Sequence, residues 1–537
     1  MWQNCTSAVE YDSIERCNGK QAIVFWAGLI AFVFVWRLPA LVWEIQDIDE
    51  TDFFLMAKEL LLGGDSYVSF VEKKPPLIFW TYAFFIALGA DNLRLIHLLT
   101  NFWVLLGSFA AWMTAKALGG DFKVRALSAF TFAGFSSSIV LATDCETLSN
   151  LPSMLAILAF VCAIGKRPSS KPLLFASGVM AALAGLYKQP AGATGAAIVL
   201  HLVLSRDPHR KDKTWGLFSF LAGAALPIVV IVVGFALNGN LDEMLEWTWF
   251  RNLNYRSNAA RILPLSKGLW WFSQFLVFVA PFFLLAASIL TVRLVRGSSK
   301  VSSIEGFAVS LFVFTLVAVL VQRQFYWHYY VQFVPAFALL AIVVGKQGFT
   351  RFFPIPTNIV VLLLVLPMVG GFVKHWLRGS IHESLPSQDE ASLSIASFLK
   401  SNCHENERVY MWGHFNPVYY LSNTMPASRY YYSSPIIGDF DPTPVPWGFD
   451  FTPFISEHDA KILVSDLLQT KPRFIIDSST ANLHDFGKFP LEKVKSVYDF
   501  VLAHYKKYGL VGGATVYMRK DLFAANPQGA KGAFPAE

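Results

Sequence analysis

Residues Asp47–Trp80 read DIDETDFFLMAKELLLGGDSYVSFVEKKPPLIFW. An apolar run precedes the stretch, and its own charges are set among apolar residues. ETDFFLMAKELLLGG has Phe53, Met56, Ala57, Leu60 and Leu61 on one helical face and Gly63-Gly64 as its stop. Lys73 and Lys74 then meet Pro75-Pro76, which restrict the backbone around them. The apolar piece at 75–90 holds only sixteen residues. Whether it crosses a membrane decides how the chain is threaded.

The whole chain favours a membrane. Its 537 residues are 54% hydrophobic, with 48 Phe and 16 Trp, and only 15% are charged. A soluble domain carries about 25% charged residues. Crossing the hydrocarbon takes roughly 17–25 apolar residues. Such runs lie near 21–43, 93–116, 125–143, 147–165, 172–187, 190–205, 215–237, 268–292, 303–321, 328–345 and 355–377. The first twenty residues lack a basic region and a small-residue cleavage site, so the first run reads as a retained helix. The net charge of +6 needs no nucleic acid, because Lys and Arg fall in short blocks between spans. The five cysteines are scattered without a CxxC, so neither a disulfide framework nor a zinc site follows from them.

The basic blocks assign the sides. Lys116, Lys123 and Arg125 mark one loop; Lys166, Arg167 and Lys171 a second; Arg206, Arg210, Lys211 and Lys213 a third. Arg293, Arg296 and Lys300 follow, then Lys346 and Arg351. A pair of spans separates each block from the next, which places them all on the cytoplasmic side. A crossing at 75–90 would break that alternation. The segment is therefore expected to lie in the interface, where Trp and Tyr are at home.

The expected fold is a polytopic α-helical membrane protein of about eleven transmembrane helices with a C-terminal extracytoplasmic α/β domain. Residues 1–20 form a cytoplasmic N-terminus. Residues 21–379 form the membrane domain, with a first outer loop at 44–92. Residues 380–525 form the α/β domain, and 526–537 a polar tail. In that domain RVYMWG, SRYYYSS, RFIIDSS and ATVYMRK read as strands. EASLSIASFLKSN, SEHDAKILVSDLLQT and LEKVKSVYDFVLAHYKKYG read as amphipathic helices.

Polar residues gather on the outer face. Asp49 reads as a helix N-cap, as a reactive carboxylate, or as both. Lys73 and Lys74 suit headgroup contact or a phosphate clamp. Asp144 and Glu146 fall in an outer turn with no basic partner in sequence. Lys188 lies in another such turn and reads as a helix-end lysine or a site residue. Arg323, His328, Tyr329, Tyr330 and Gln332 stand at one span entrance, as an aromatic belt or facing a polar cavity. Loop 238–267, with Arg256, mixes aromatic and basic residues.

In order, these are a first span, Asp-Glu, a short helix ending in Gly-Gly-Asp, KKPPLIFW, TDCET, YKQPA, HYYVQFVP and an outer α/β domain. The series resembles the bacterial branch of the GT-C membrane glycosyltransferases, which is similar to the aminoarabinose transferases of lipid A and to protein O-mannosyltransferases. The resemblance covers about 20–380 and is most specific at Asp49-Glu50 and Lys74-Pro75-Pro76. The chain departs from the aminoarabinose transferases at Asp52, where they carry an arginine, and at Lys73, where they carry a glutamate.

The resemblance implies transfer of a sugar from a polyprenyl-phosphate donor to an extracytoplasmic acceptor, either a glycolipid such as lipopolysaccharide or a protein, at a bacterial inner membrane. It implies a catalytic set of Asp49, Glu50, Asp144 and Glu146, with Asp49 as general base of an inverting displacement. It places Lys74 near the donor phosphate; Lys188, Arg256, His328 and Tyr329 complete the donor-phosphate set expected from the residues themselves. No cofactor is certain, and a divalent metal is possible. The rival reading is a polytopic transporter or lipid-carrier flippase whose outer domain binds a partner. Against it, no repeated half is evident and the candidate groups cluster on one face.

Overall fold

The computed structural model describes residues 19–165, 170–204, 210–262, 265–295, 304–323, 325–347, 357–380 and 389–525. Residues 1–18, the tail 526–537, and Lys166, Arg167, Arg206, Arg296, Lys300 and Arg351 of the basic blocks lie outside them.

A helix stands on each of the eleven apolar runs. The first six are Gly19–Trp36, Leu93–Ala117, Phe122–Ser138, Cys145–Ile164, Lys171–Tyr187 and Ala193–Leu204. The others are Arg210–Leu237, Leu265–Val295, Ile304–Val321, Val334–Gln347 and Thr357–Ser380. Among the described residues, seven helices are long and apolar enough to cross a bilayer. Many of their apolar side chains face outward, including Val230, Leu237, Trp270 and Val277. The chain is an integral membrane protein. Leu77–Ala87 has eleven residues, about 17 Å at 1.5 Å per residue, against roughly 30 Å of hydrocarbon.

Two runs are interrupted. The first breaks at Arg37 and resumes as Leu38–Val42, and Phe122–Ser138 leaves 139–143 without helix. Arg37 sits fully buried between the broken ends. Its Nε donates to Asn101 Oδ1 at 2.8 Å, and its Nη atoms donate to the carbonyls of Ser136 at 3.3 Å and Leu141 at 2.6 Å. The guanidinium thus takes up carbonyls freed where helix is lost, and they in turn satisfy its charge.

The carboxyl-terminal domain is a mixed sheet with helices packed on it. Its strands are β1 Arg408–Trp412, β2 Met425–Pro426, β3 Phe474–Asp477, β4 Tyr505–Val511 and β5 Ala514–Arg519, in the order β2-β1-β3-β5-β4. β1 pairs in parallel with β2 and β3, and β5 pairs antiparallel with β3 and β4. Helices Glu390–Asn402 and Glu457–Thr470 match expected ones, and Lys495–His504 covers the middle of the third.

Two expectations for this domain fail. SRYYYSS is loop rather than strand. Its tyrosines donate instead to carboxylates: Tyr430 to Asp459 at 2.8 Å, Tyr431 to Glu59 at 3.3 Å and Tyr432 to Glu72 at 3.4 Å. The last two partners belong to the 44–92 loop, so the segment fastens the domain to the membrane part. The helix expected through residue 509 stops at His504, and Tyr505–Val511 pairs with β5 as the sheet's edge.

Candidate active site

The cavity is built on the Lys-Lys-Pro-Pro corner. Glu72 Oε1 accepts the backbone N–H of Lys73 at 2.7 Å and of Lys74 at 3.2 Å. Tyr67 donates its hydroxyl to the Lys74 carbonyl at 2.9 Å. Helix Leu77–Ala87 starts immediately after the prolines. Lys74 is therefore held at both its amide and its carbonyl, and its side chain is aimed. Nζ lies 3.1 Å from Asp49 Oδ2 and 3.5 Å from Glu72 Oε1. Lys73 turns the other way, 2.9 Å from Asp439 Oδ1 and over the Tyr255 ring.

Asp49 is free for this contact because another residue caps its helix. Helix Ile48–Leu61 begins with a capping box in which Asp47 accepts from Asp49 N at 3.2 Å and Glu50 reaches back to Asp47 N at 3.3 Å. The N-cap reading of Asp49 is thus corrected to Asp47. Burial pushes the Asp49 carboxyl up, but Lys74, His328 and His414 pull it further down, below the usual carboxylate range.

Glu50 points away from the cavity. Its oxygens accept the amides of Thr143 at 2.6 Å and Gln46 at 3.0 Å. Burial lifts its carboxyl to about 8, against the pull of those amides. The group joins the 44–92 loop to the 139–143 segment.

The second acidic pair is not a solvated turn. Asp144 is buried, and among the described residues neither carboxylate oxygen has a hydrogen-bond partner. Burial and the neighbouring Asp47, Glu146, Glu50 and Asp49 push it well above the usual range, so the acid form fits its surroundings. Glu146 is ion-paired with buried Lys188, and His328 Nε2 lies 3.9 Å from the same carboxylate. Lys188 Nζ stands 3.4 Å from the Tyr329 ring centroid. Lys188 is accordingly more than an ordinary helix-end lysine.

A cavity of about 420 Å³ lies beside these groups. Asp49, Lys74, Lys188, His328 and Tyr329 line it, whereas Glu50, Asp144 and Glu146 do not. Arg256 belongs to helix Arg251–Ile262, whose Asn252 and Tyr255 line the cavity; its side chain is outside the described residues. Among the described residues, no cluster of three or more His, Cys, Asp or Glu is placed to hold a metal.

Sequence reasoning missed the wall supplied by the carboxyl-terminal domain: His414, Tyr432, Asp441 and His484. Asp441 takes the Tyr326 hydroxyl. One signal was available for His414. It stands two residues past β1, and open α/β sheets bind ligands beyond the carboxyl ends of their strands.

The architecture has solved counterparts. With a TM-score of 0.61 and 12% identity, the chain matches ArnT from Cupriavidus metallidurans bound to undecaprenyl phosphate, over 93% of this chain and 98% of that one. The apo state of that ArnT matches with a TM-score of 0.51 and 14% identity over the same shares. The fold is that of ArnT. The ArnT fold extends through the carboxyl-terminal domain, since the match covers nearly the whole chain. A family model described as dolichyl-phosphate-mannose-protein mannosyltransferase matches residues 73–261, from the Lys-Lys-Pro-Pro corner through helix Arg251–Ile262. The GT-C resemblance drawn from the residues is supported by both. Comparison with curated proteins gives no match.

Proposed function

We propose that the protein is a membrane glycosyltransferase that moves a sugar from a polyprenyl-phosphate donor to an acceptor hydroxyl on the face carrying the carboxyl-terminal domain. The observation that carries this reading is the Asp49–Lys74 pair, 3.1 Å apart on the cavity wall, with one member fit to take a proton and the other to hold a phosphate. The ArnT fold and the mannosyltransferase family match support the same class. The donor's tail lies in the bilayer and its anomeric carbon enters the cavity. The acceptor is a glycolipid, such as lipopolysaccharide, or a protein. The membrane is a bacterial inner membrane with this face outward.

The acceptor oxygen attacks the anomeric carbon as the bond from that carbon to the phosphate oxygen breaks. The bonding pair leaves with the phosphate, and the acceptor proton passes to Asp49, within about 3 Å of the hydroxyl. A single displacement inverts the anomeric centre. Charge grows on the leaving phosphate, and preplaced cations stabilise it in a low-dielectric site. Lys74 is the first of these, with Lys188 and His328 on the same wall, Tyr329 against Lys188, and Arg256 proposed as a further member from the helix that carries Asn252 and Tyr255. As Lys74 turns to the phosphate, Asp49 loses its counter-charge and becomes a stronger base.

The test offers a panel of polyprenyl-phosphate sugars and a membrane glycolipid extract to the purified protein in lipid. Release of polyprenyl phosphate from one donor, abolished by Asp49→Asn, is expected. No release from any donor by an intact wild type would count against the class.

A further inference from the structure

The charge on the cavity wall leaves a place for another cation. Among the described residues five carboxylates line it: Asp47, Asp49, Asp52, Glu72 and Asp441. Three lysines do so as well, and each is already engaged, Lys73 with Asp439, Lys74 with Asp49 and Lys188 with Glu146. An entering phosphate would meet a wall whose described positive charges are spoken for. Lys74 must leave Asp49 to meet a phosphate, so a further cation on the wall would offset the carboxylates that remain.

His414 has the geometry for that role. Its ring stacks on Tyr432, with centroids 4.6 Å apart, and Nε2 lies 3.7 Å from Asp52 Oδ2. Nε2 faces Asp52 as an ion pair, and among the described residues Nδ1 has no hydrogen-bond partner, so one N–H donor of the imidazolium remains uncommitted. The backbone beneath it is fixed, because Gly413 donates to Ser433 Oγ at 3.1 Å and Ser433 donates to the Gly413 carbonyl at 2.8 Å. Asp52 is held in turn by Asn416, which donates to Oδ1 at 2.5 Å.

We propose that His414, carried by the carboxyl-terminal domain, is a phosphate-binding residue of this cavity, so that the domain completes the site. The inference rests on the function proposed above. Asp52 and Asp49 face the ring from helix Ile48–Leu61, Asp441 and Tyr432 from the loops after β2, and His484 from the segment after β3. Burial alone would lower the imidazole, but Asp52, Asp441 and Asp49 outweigh it and raise it. His484 moves down, through burial and the charge of His414, so one imidazolium is favoured over two.

The test is binding of undecaprenyl phosphate to the full-length protein in lipid, measured from pH 5.5 to 9. Wild type should bind most tightly where His414 is charged and lose affinity as it deprotonates. His414→Asn should weaken binding on the order of tenfold at low pH and flatten the difference across the range. His414→Lys should restore binding and carry it to higher pH, which a purely structural role would not produce. Asp52→Asn should move the midpoint to lower pH. The phosphate's own second ionisation, near pH 6, is common to all four proteins. Wild-type binding that His414→Asn leaves unchanged in strength and pH profile overturns this inference alone. No binding by wild type at any pH overturns the proposed function and this inference with it.

Discussion

Arg408 of β1 donates from Nη2 to both carboxylate oxygens of Glu59, at 2.8 and 2.9 Å. Glu59 lies near the end of the helix that carries Asp49 in its first turn. The carboxyl-terminal domain thus grips the same helix that borders the cavity. Lys58 and Asn423 add a contact at 3.0 Å, and Tyr420 reaches Glu44 at 2.5 Å.

Arg408→Ala should loosen that grip. Among the described residues it leaves the buried Glu59 carboxylate with the Tyr431 hydroxyl alone, and losing charge-assisted hydrogen bonds of this kind costs about 1.5–3 kcal/mol. A lower thermal midpoint in detergent is expected, with earlier release of the domain in limited proteolysis. Unchanged melting and digestion would mean that the other contacts suffice for docking.

Asp49 and Lys74 should separate in binding while both lose turnover. Asp49→Asn removes the base and should cut turnover by about 10²–10⁴. It also frees Lys74, so affinity for polyprenyl phosphate should hold or tighten. Lys74→Ala should lose roughly 10²–10³ in turnover and weaken phosphate binding as well. Weaker phosphate binding by Asp49→Asn would place the carboxylate in a positioning role.

What could be read from the sequence follows the range of the interactions. The eleven apolar runs were legible because hydropathy is local, and the Lys-Lys-Pro-Pro corner because proline acts on its neighbours. Asp47 took the cap from Asp49 by a shift of two residues, within the slack of any boundary read from sequence. SRYYYSS was misread because a tyrosine run favours strands, and bonds to Glu59 and Glu72, over 350 residues away, overrode that preference. Tyr505–Val511 was hidden by Lys506 and Lys507, which suit an exposed edge strand as well as a helix end. His414 meets Asp52 across the domain boundary, and no local pattern encodes that contact.

Glu146 and Lys188 form a buried pair, at 2% and 8% exposure. Glu146→Gln leaves the ammonium against the Tyr329 ring with no full counter-charge, and breaking a buried pair costs about 3–5 kcal/mol. Glu146→Gln alone should therefore lower the melting temperature sharply. Adding Lys188→Met should recover part of the loss, since the orphaned charge is gone. A double variant no more stable than the single one would show that Lys188 is held by other partners.

Glu50 sets a pH dependence of stability with a definite sign. Its carboxyl lies at about 8 in the fold, against 4.5 when free. Between those values the native state holds a proton that the unfolded chain has lost, so stability falls as pH rises from about 4.5 to 8 and levels off above. The melting temperature of the wild type should carry this decline, and Glu50→Gln should remove its share of it. The amide has one oxygen where the carboxyl has two, so at pH 5 the variant forfeits one or more of the bonds from Thr143, Gln46 and Asp47, about 1 kcal/mol each. Its curve should start below the wild type at pH 5 and meet or cross it by pH 9. Two parallel curves would mean that Glu50 keeps the same charge in the folded and unfolded chain, and that the amides of residues 46, 47 and 143 outweigh its burial.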